Sequence, residues 1–206
     1  NAIKQEMEKQ GIPLDKIDSI VINAKGNARK QNETTLSIGS IVHKLAEKWL
    51  KGEQVTKPDN PTVANCFMKF QKFWKQHNLK LVESEKILYS ERGFCGTLDT
   101  IAKDSENNLW LIDIKTSKGI FINMIHQVHG YKLAYEEQTG KKINKMYIVR
   151  LPKTDEDFEA RNILYKKEHI KAFLGLLHLH KSELLFNEQV RKFNQLKRGK
   201  KYVSKK

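Results

Sequence analysis

Cysteine is nearly missing from this chain: two residues in 206, Cys66 and Cys95, stand far apart. That excludes a disulfide framework and a cysteine-rich metal centre, and both thiols are expected to be small core residues. No apolar run approaches the roughly 20 residues that span a bilayer, and no basic start leads into an apolar stretch of the secretory kind. No glycine-rich Walker-type phosphate loop occurs, so the chain carries no ATP-driven motor of its own. Acidic residues are missing from one region in particular. Between Gln189 and Lys206 there are eight Lys or Arg and not one Asp or Glu.

With 39% hydrophobic and 30% charged residues, the composition is that of a globular chain able to bury a core. The formal net charge is +14, with a pI near 9.6, which favours a polyanionic partner through phosphate contacts and counterion release. Nucleic acid is the leading candidate, and no membrane is expected. The basic terminus is either a solvated tail or a DNA-contacting arm. The expected organisation is one domain over 1–190 with a basic tail over 191–206.

A polar run from Lys25 to Thr35 marks a loop. Ile38, Ile41, Val42, Leu45, Ala46 and Trp49 then recur at spacings of three and four, which predicts a helix over 37–51 with one buried face. Val63 to His77 is a second amphipathic helix. Strands are expected over Lys80–Tyr89, Phe94–Lys103 and Asn108–Thr116, separated by turn residues as in an antiparallel meander. A helix over Ile122–Gln138 closed by Gly140 follows, then strands Lys145–Leu151 and Phe158–Tyr165 and a helix over Glu168–Phe186. The fold class is α/β: a mixed central sheet flanked by helices.

Two of those strands carry charges where a core should be. Asp113 and Lys115, two apart, share a face of the third strand with Leu111. Pairing of the second and third strands brings Asp99 beside Asp113. Two adjacent carboxylates repel and are costly to desolvate, and a divalent cation relieves both problems. Mg²⁺ or Mn²⁺ takes such oxygen ligands, retains waters and completes its shell with substrate phosphate. The chemistry that follows is phosphodiester hydrolysis, with Lys115 stabilising negative charge in the transition state. The bland alternative is an ordinary Asp113–Lys115 ion pair on an exposed strand face.

Asp99 followed by Asp113-Ile114-Lys115 on the next strand resembles the PD-(D/E)XK nuclease superfamily, with Leu98 where its name has Pro. Gln127-Val128-His129-Gly130-Tyr131 resembles the Q-x-x-x-Y helix of the RecB-type branch, which includes small phage and mitochondrial exonucleases. Gly39-Ser40-Ile41-Val42-His43 resembles that branch's upstream helix with a metal-binding His. The resemblance covers about 36–152 and implies a restriction-endonuclease-like core. It implies catalytic roles for Asp99, Asp113, Lys115, Glu85, Gln127 and Tyr131, and metal ligation by His43, Asp99, Asp113, the Ile114 carbonyl and Glu85. Glu83 and Glu85 are both candidates for the upstream strand acid, and Glu85 is preferred for its spacing to Gly96-Thr97-Leu98-Asp99. Two cysteines cannot hold the iron–sulfur cluster of some relatives.

The expectation is a Mg²⁺- or Mn²⁺-dependent deoxyribonuclease, an exonuclease acting on single strands or duplex ends, in the company of replication or recombination proteins. The alternatives are an endonuclease or RNA-processing nuclease of the same fold, or a non-cleaving DNA-binding module. The expected compartment is the cytoplasm of a bacterial or phage-infected cell. Because the chain starts at Asn1, a removed leader and a mitochondrial or nuclear address stay open.

Overall fold

A computed structural model describes residues 38–203, with side chains as far as 195. The loop expected over Lys25–Thr35, residue 36 at the start of the expected core, and Lys205 and Lys206 of the basic terminus lie outside the described residues.

The first described helix, α1, covers 38–50. Val42 and Ala46 are buried along it, and Ile38, Leu45 and Trp49 are partly buried against the same cluster. Ile41, assigned to that face from its spacing, is instead exposed. Helix α2, Pro61–Gln76, starts where its composition says it should. Asn60 caps it by accepting from the Thr62 and Val63 amides at 2.9 and 3.2 Å, and Pro61 occupies a first-turn position that needs no N–H donor.

Strands β1 (Lys80–Ser90), β2 (Phe94–Lys103) and β3 (Leu109–Lys115) form the antiparallel meander. Helix α3, Ile122–Thr139, ends at Gly140, whose φ of 67° is the left-handed conformation a glycine adopts at no steric cost, and whose amide closes onto the Glu136 carbonyl. It carries the chain across to β4, Lys145–Arg150, which pairs parallel to β3. The short strand β5, Glu159–Asn162, pairs antiparallel to β4. The sheet is thus mixed, in the order β1-β2-β3-β4-β5, with β3 at its centre.

Alternation along β3 divides the core in two. Trp110, Ile112 and Ile114 face a cluster with Val42, Phe70, Phe73 and Trp74, so α1 and α2 cover one face of the sheet. Leu111 faces a cluster with Leu98, Ile101, Val128 and Tyr135, so α3 covers the other. Helix α4, Lys167–Val203, packs outside α3: the Phe173 ring lies where a Cβ on Gly130 would be, 2.7 Å from its nearest atom.

Two expectations fail here. Cys95 is exposed, not core, because it alternates outward at the hairpin end opposite exposed Tyr89. Helix α4 was expected to stop near Phe186 and runs on to Val203. Residues 187–203 contain no proline and are rich in Glu, Gln, Lys, Arg and Leu, all good helix formers. Among the described residues no helix is long and apolar enough to cross a membrane.

Candidate metal centre

The site forms where the pairing of β2 with β3 gives out. Backbone pairing ends at Thr100 with Ile112, and the next amide on that edge, Ile114 N–H, donates instead to Asp99 Oδ2 at 2.7 Å. A side chain thus takes the place of a ladder carbonyl and is fixed by it. The other oxygen, Oδ1, lies 3.4 Å from His43 Nδ1 on α1.

Glu85 completes this group. It stands opposite Asp99 on β1, between the pairs Ser84–Thr100 and Lys86–Leu98, and its φ is +47°. A left-handed glutamate within a strand is a strained conformation of the kind that clusters at functional sites. The strain has a visible geometric product. Glu83 turns to Tyr135, accepting its hydroxyl at 2.9 Å, and to Lys86, whereas Glu85 turns to His43 and Asp99. Two apart on a regular strand, the two acids would share a face; they part company where the backbone turns left-handed at Glu85. One ligand atom from each of His43, Glu85 and Asp99 falls within 4.8 Å of the others.

Asp113 stands outside that trio and is held by Lys115. The ammonium lies 2.9 Å from Oδ1 and 2.8 Å from Oδ2, with hydrogen-bond geometry only at Oδ1. Both oxygens of this buried carboxylate thus depend on one ammonium, Oδ2 through charge and Oδ1 through a hydrogen bond. Lys115 also donates to Gln127 Oε1 at 3.1 Å, and Gln127 Nε2 donates to the Tyr131 hydroxyl at 2.9 Å. Spacing of four on α3 sets both groups on one face. Tyr131 reaches this position because Gly96 has no side chain: a Cβ there would lie 2.9 Å from its ring.

The electrostatics follow from this crowding. Burial pushes the Asp113 carboxyl up to about 7, with the Asp99 charge adding to the rise and Lys115 opposing it. Burial and then the Asp99 charge raise Glu85. For His43 burial works downward, but the hydrogen bond and charge of Asp99 outweigh it and raise the imidazole. Burial and the nearby Asp113 and Asp99 charges push the Tyr131 phenol up to about 12, so it stays a neutral hydrogen-bonding group.

A cavity of about 640 Å³ opens over these groups, with Gly39, His43, Glu47, Glu85, Ile114 and Lys115 on its walls. Glu47 was not singled out from the sequence, although its place one helical turn after His43 was a usable signal. Gly39 fits against the strand end: a Cβ there would lie 3.0 Å from Thr116 Oγ1. The donor set, three carboxylates and an imidazole, fits a hard divalent cation. The Ile114 carbonyl belongs to a residue on the cavity wall whose amide is already committed to Asp99.

No protein-family model matches the chain, and no curated protein matches its sequence. Among solved structures, a candidate exonuclease from Eubacterium rectale is similar at 11% identity with a TM-score of 0.46, over 72% of this chain and 66% of that one. The protein SSO0001 is similar at 17% identity with a TM-score of 0.37, over 58% and 59% of the two chains.

Proposed function

We propose that the chain is a metal-dependent DNA nuclease that hydrolyses phosphodiester bonds and works from DNA ends. The observation that carries this reading is the convergence of Asp99, Asp113, Glu85 and His43 beside a lysine that is already oriented. His43, Glu85, Asp99 and Asp113 are the groups that would hold Mg²⁺ or Mn²⁺, and a bound ion would supply Lewis acidity and a water of lowered pKa. Lys115, steered by Asp113 on one side and Gln127 on the other, offers its ammonium to the negative charge that grows on the phosphoryl oxygens. Tyr131 holds the Gln127 amide so that its oxygen faces the lysine. In the reaction a water oxygen bonds to phosphorus and gives up a proton to solvent, one P–O ester bond breaks, and the departing oxygen takes a proton from solvent. The resemblance to RecB-type nucleases and the net charge of +14 support DNA as the substrate.

The test is an assay on labelled linear and covalently closed circular DNA, single- and double-stranded, in Mg²⁺, Mn²⁺ or EDTA. Linear strands are degraded only with metal, and the closed single-stranded circle resists. Equal rates on circle and linear strand would make the protein an endonuclease. DNA binding without hydrolysis in either metal would leave a binding module on a nuclease fold.

A further inference from the structure

A second cavity adjoins the proposed metal centre from the far side of one side chain. It measures about 420 Å³ and lies between two facing stripes: Asn123, His126 and Gln127 on α3, and Phe173, Leu176 and His180 on α4. The spacings of three and four place each stripe on one helical face. Gln127 is common to this cavity and to the lysine network, since it accepts from Lys115 at 3.1 Å. The groove therefore continues the site rather than standing apart from it.

Its chemistry is the reverse of the first cavity's. There Glu47 and Glu85 line the wall; here, among the described residues, no carboxylate does. The floor is apolar and held in place: the Phe173 ring packs edge-on against Phe94 at 4.9 Å and closes onto the bare Gly130 backbone. Leu176 is 53% exposed and offers its face to whatever enters. The rim supplies amides from Asn123 and Gln127 and imidazoles from His126 and His180, and the His126 ring is 5.5 Å from His169. An apolar floor with a neutral-to-basic, hydrogen-bonding rim suits an object with a flat apolar face, polar edges and a negative charge. A nucleotide has all three.

We infer that this α3–α4 groove binds an unpaired nucleotide of single-stranded DNA, next to the phosphate presented to Lys115. The inference rests on the nuclease reading and names the strand state of its substrate. Within a duplex both faces of each internal base are covered by stacking, and a terminal base offers its face only joined to its pairing partner, so an unpaired base is the one that can lay a face alone on Leu176 and Phe173. The volume lies within the roughly 300–1,000 Å³ of small-molecule sites and has no room for a base pair with its stacked neighbours. Beyond His180 the α4 helix continues through Arg191 and Lys192, about 16 Å further along at 1.5 Å per residue, where the backbone of the same strand finds cations. Trp49 and Trp74 are packed in the core cluster on the opposite face of the sheet and take no part in this groove.

The test is fluorescence anisotropy in EDTA, with a labelled single-stranded oligodeoxynucleotide and a blunt duplex of the same sequence. Leu176→Glu, which introduces an acid at an exposed position, weakens single-strand binding tenfold or more, and His126→Ala and His180→Ala weaken it several-fold each. Duplex binding and Mn²⁺ affinity stay within twofold, and an unchanged melting temperature shows that the variants are folded. Equal losses on strand and duplex, or no loss on the strand, would overturn the groove assignment. Binding without metal is read independently of cleavage. A wild-type protein that cuts DNA while these variants bind strands normally fails the groove alone. One that never cuts, yet depends on these residues for strand binding, fails the nuclease reading alone.

Discussion

Asp104 and Asp113 lie at opposite ends of the same strand and have opposite fates. Asp104, in the turn before β3, accepts from the Glu106 and Asn108 amides at 3.0 and 2.9 Å, the Asn108 side chain at 3.0 Å, the Trp110 indole at 2.9 Å and Lys145 at 3.0 Å. Desolvation alone would push its carboxyl up, but the donors outweigh it and hold the group well below the usual carboxylate range. Asp113, at the other end and 1% exposed, has one lysine for both of its oxygens and a like charge, Asp99, beside it. The first acid is surrounded by donors from the fold; the second has a single cation.

The largest expected effect is on turnover. Lys115→Ala lowers kcat by about 100- to 1,000-fold, the usual loss on removing one group that stabilises transition-state charge. Asp113→Asn lowers it comparably and weakens Mn²⁺ binding in calorimetry. Asp104→Asn, in contrast, leaves kcat within about threefold. A strong turnover defect in Asp104→Asn would break the contrast between the two acids.

Stability separates them next, by sign. Asp113 holds its proton more tightly when folded, near pH 7, than when unfolded, near pH 4, so the folded state carries more protons in that window. The metal-free protein loses stability as pH rises from about 4 to about 7. Asp104, depressed in the folded state, contributes stability above about pH 4 that is lost as pH falls through its lower folded value. Calorimetric melting in EDTA across this range checks both. Asp113→Asn reduces the decline between pH 4 and 7, to which raised Glu85 contributes with the same sign, and saturating Mn²⁺ flattens it in the wild type. At pH 8 in EDTA, Asp104→Asn lowers Tm and Asp113→Asn leaves it unchanged or raises it. An undiminished decline in Asp113→Asn assigns it to another group.

The smallest effect concerns Glu85. Glycine at this position relieves a left-handed backbone at a cost for non-glycine residues of about 1 kcal/mol, so Glu85→Gly raises Tm slightly in EDTA while weakening Mn²⁺ binding. A drop in Tm would show that the strand needs the side chain more than it suffers from the twist.

Much of the architecture was legible because periodicity reports burial. The meander, the helix stopped by Gly140 and the face shared by Asp113 and Lys115 all follow from alternation or helical spacing. Positions that depend on a departure from regularity were not legible. Nothing in LVESEKILYS announces a positive φ at Glu85; the preference for Glu85 over Glu83 rests on its spacing to Gly96-Thr97-Leu98-Asp99 and not on any backbone signal. Ile41 fits the spacing of the buried face and is exposed all the same, so periodicity alone does not fix its burial. Glu47 and the α3–α4 groove depend on tertiary juxtaposition of segments up to about 70 residues apart, as from Glu47 to Ser117.

The central position of β3 also sets the order in which the centre can come apart. Asp113 sits on a strand flanked by β2 and β4, whereas Glu85 belongs to the edge strand β1 and His43 to a helix laid over the sheet. Local opening starts at edges and overlying helices and reaches the middle of a sheet only with global unfolding. In hydrogen exchange the amides of Ile112 to Ile114 are therefore among the slowest, and those around Glu85 and His43 exchange first. Side chains on elements of unequal lifetime make the cluster a fixed post, Asp113, beside two hinged leaves that carry Glu85 and His43.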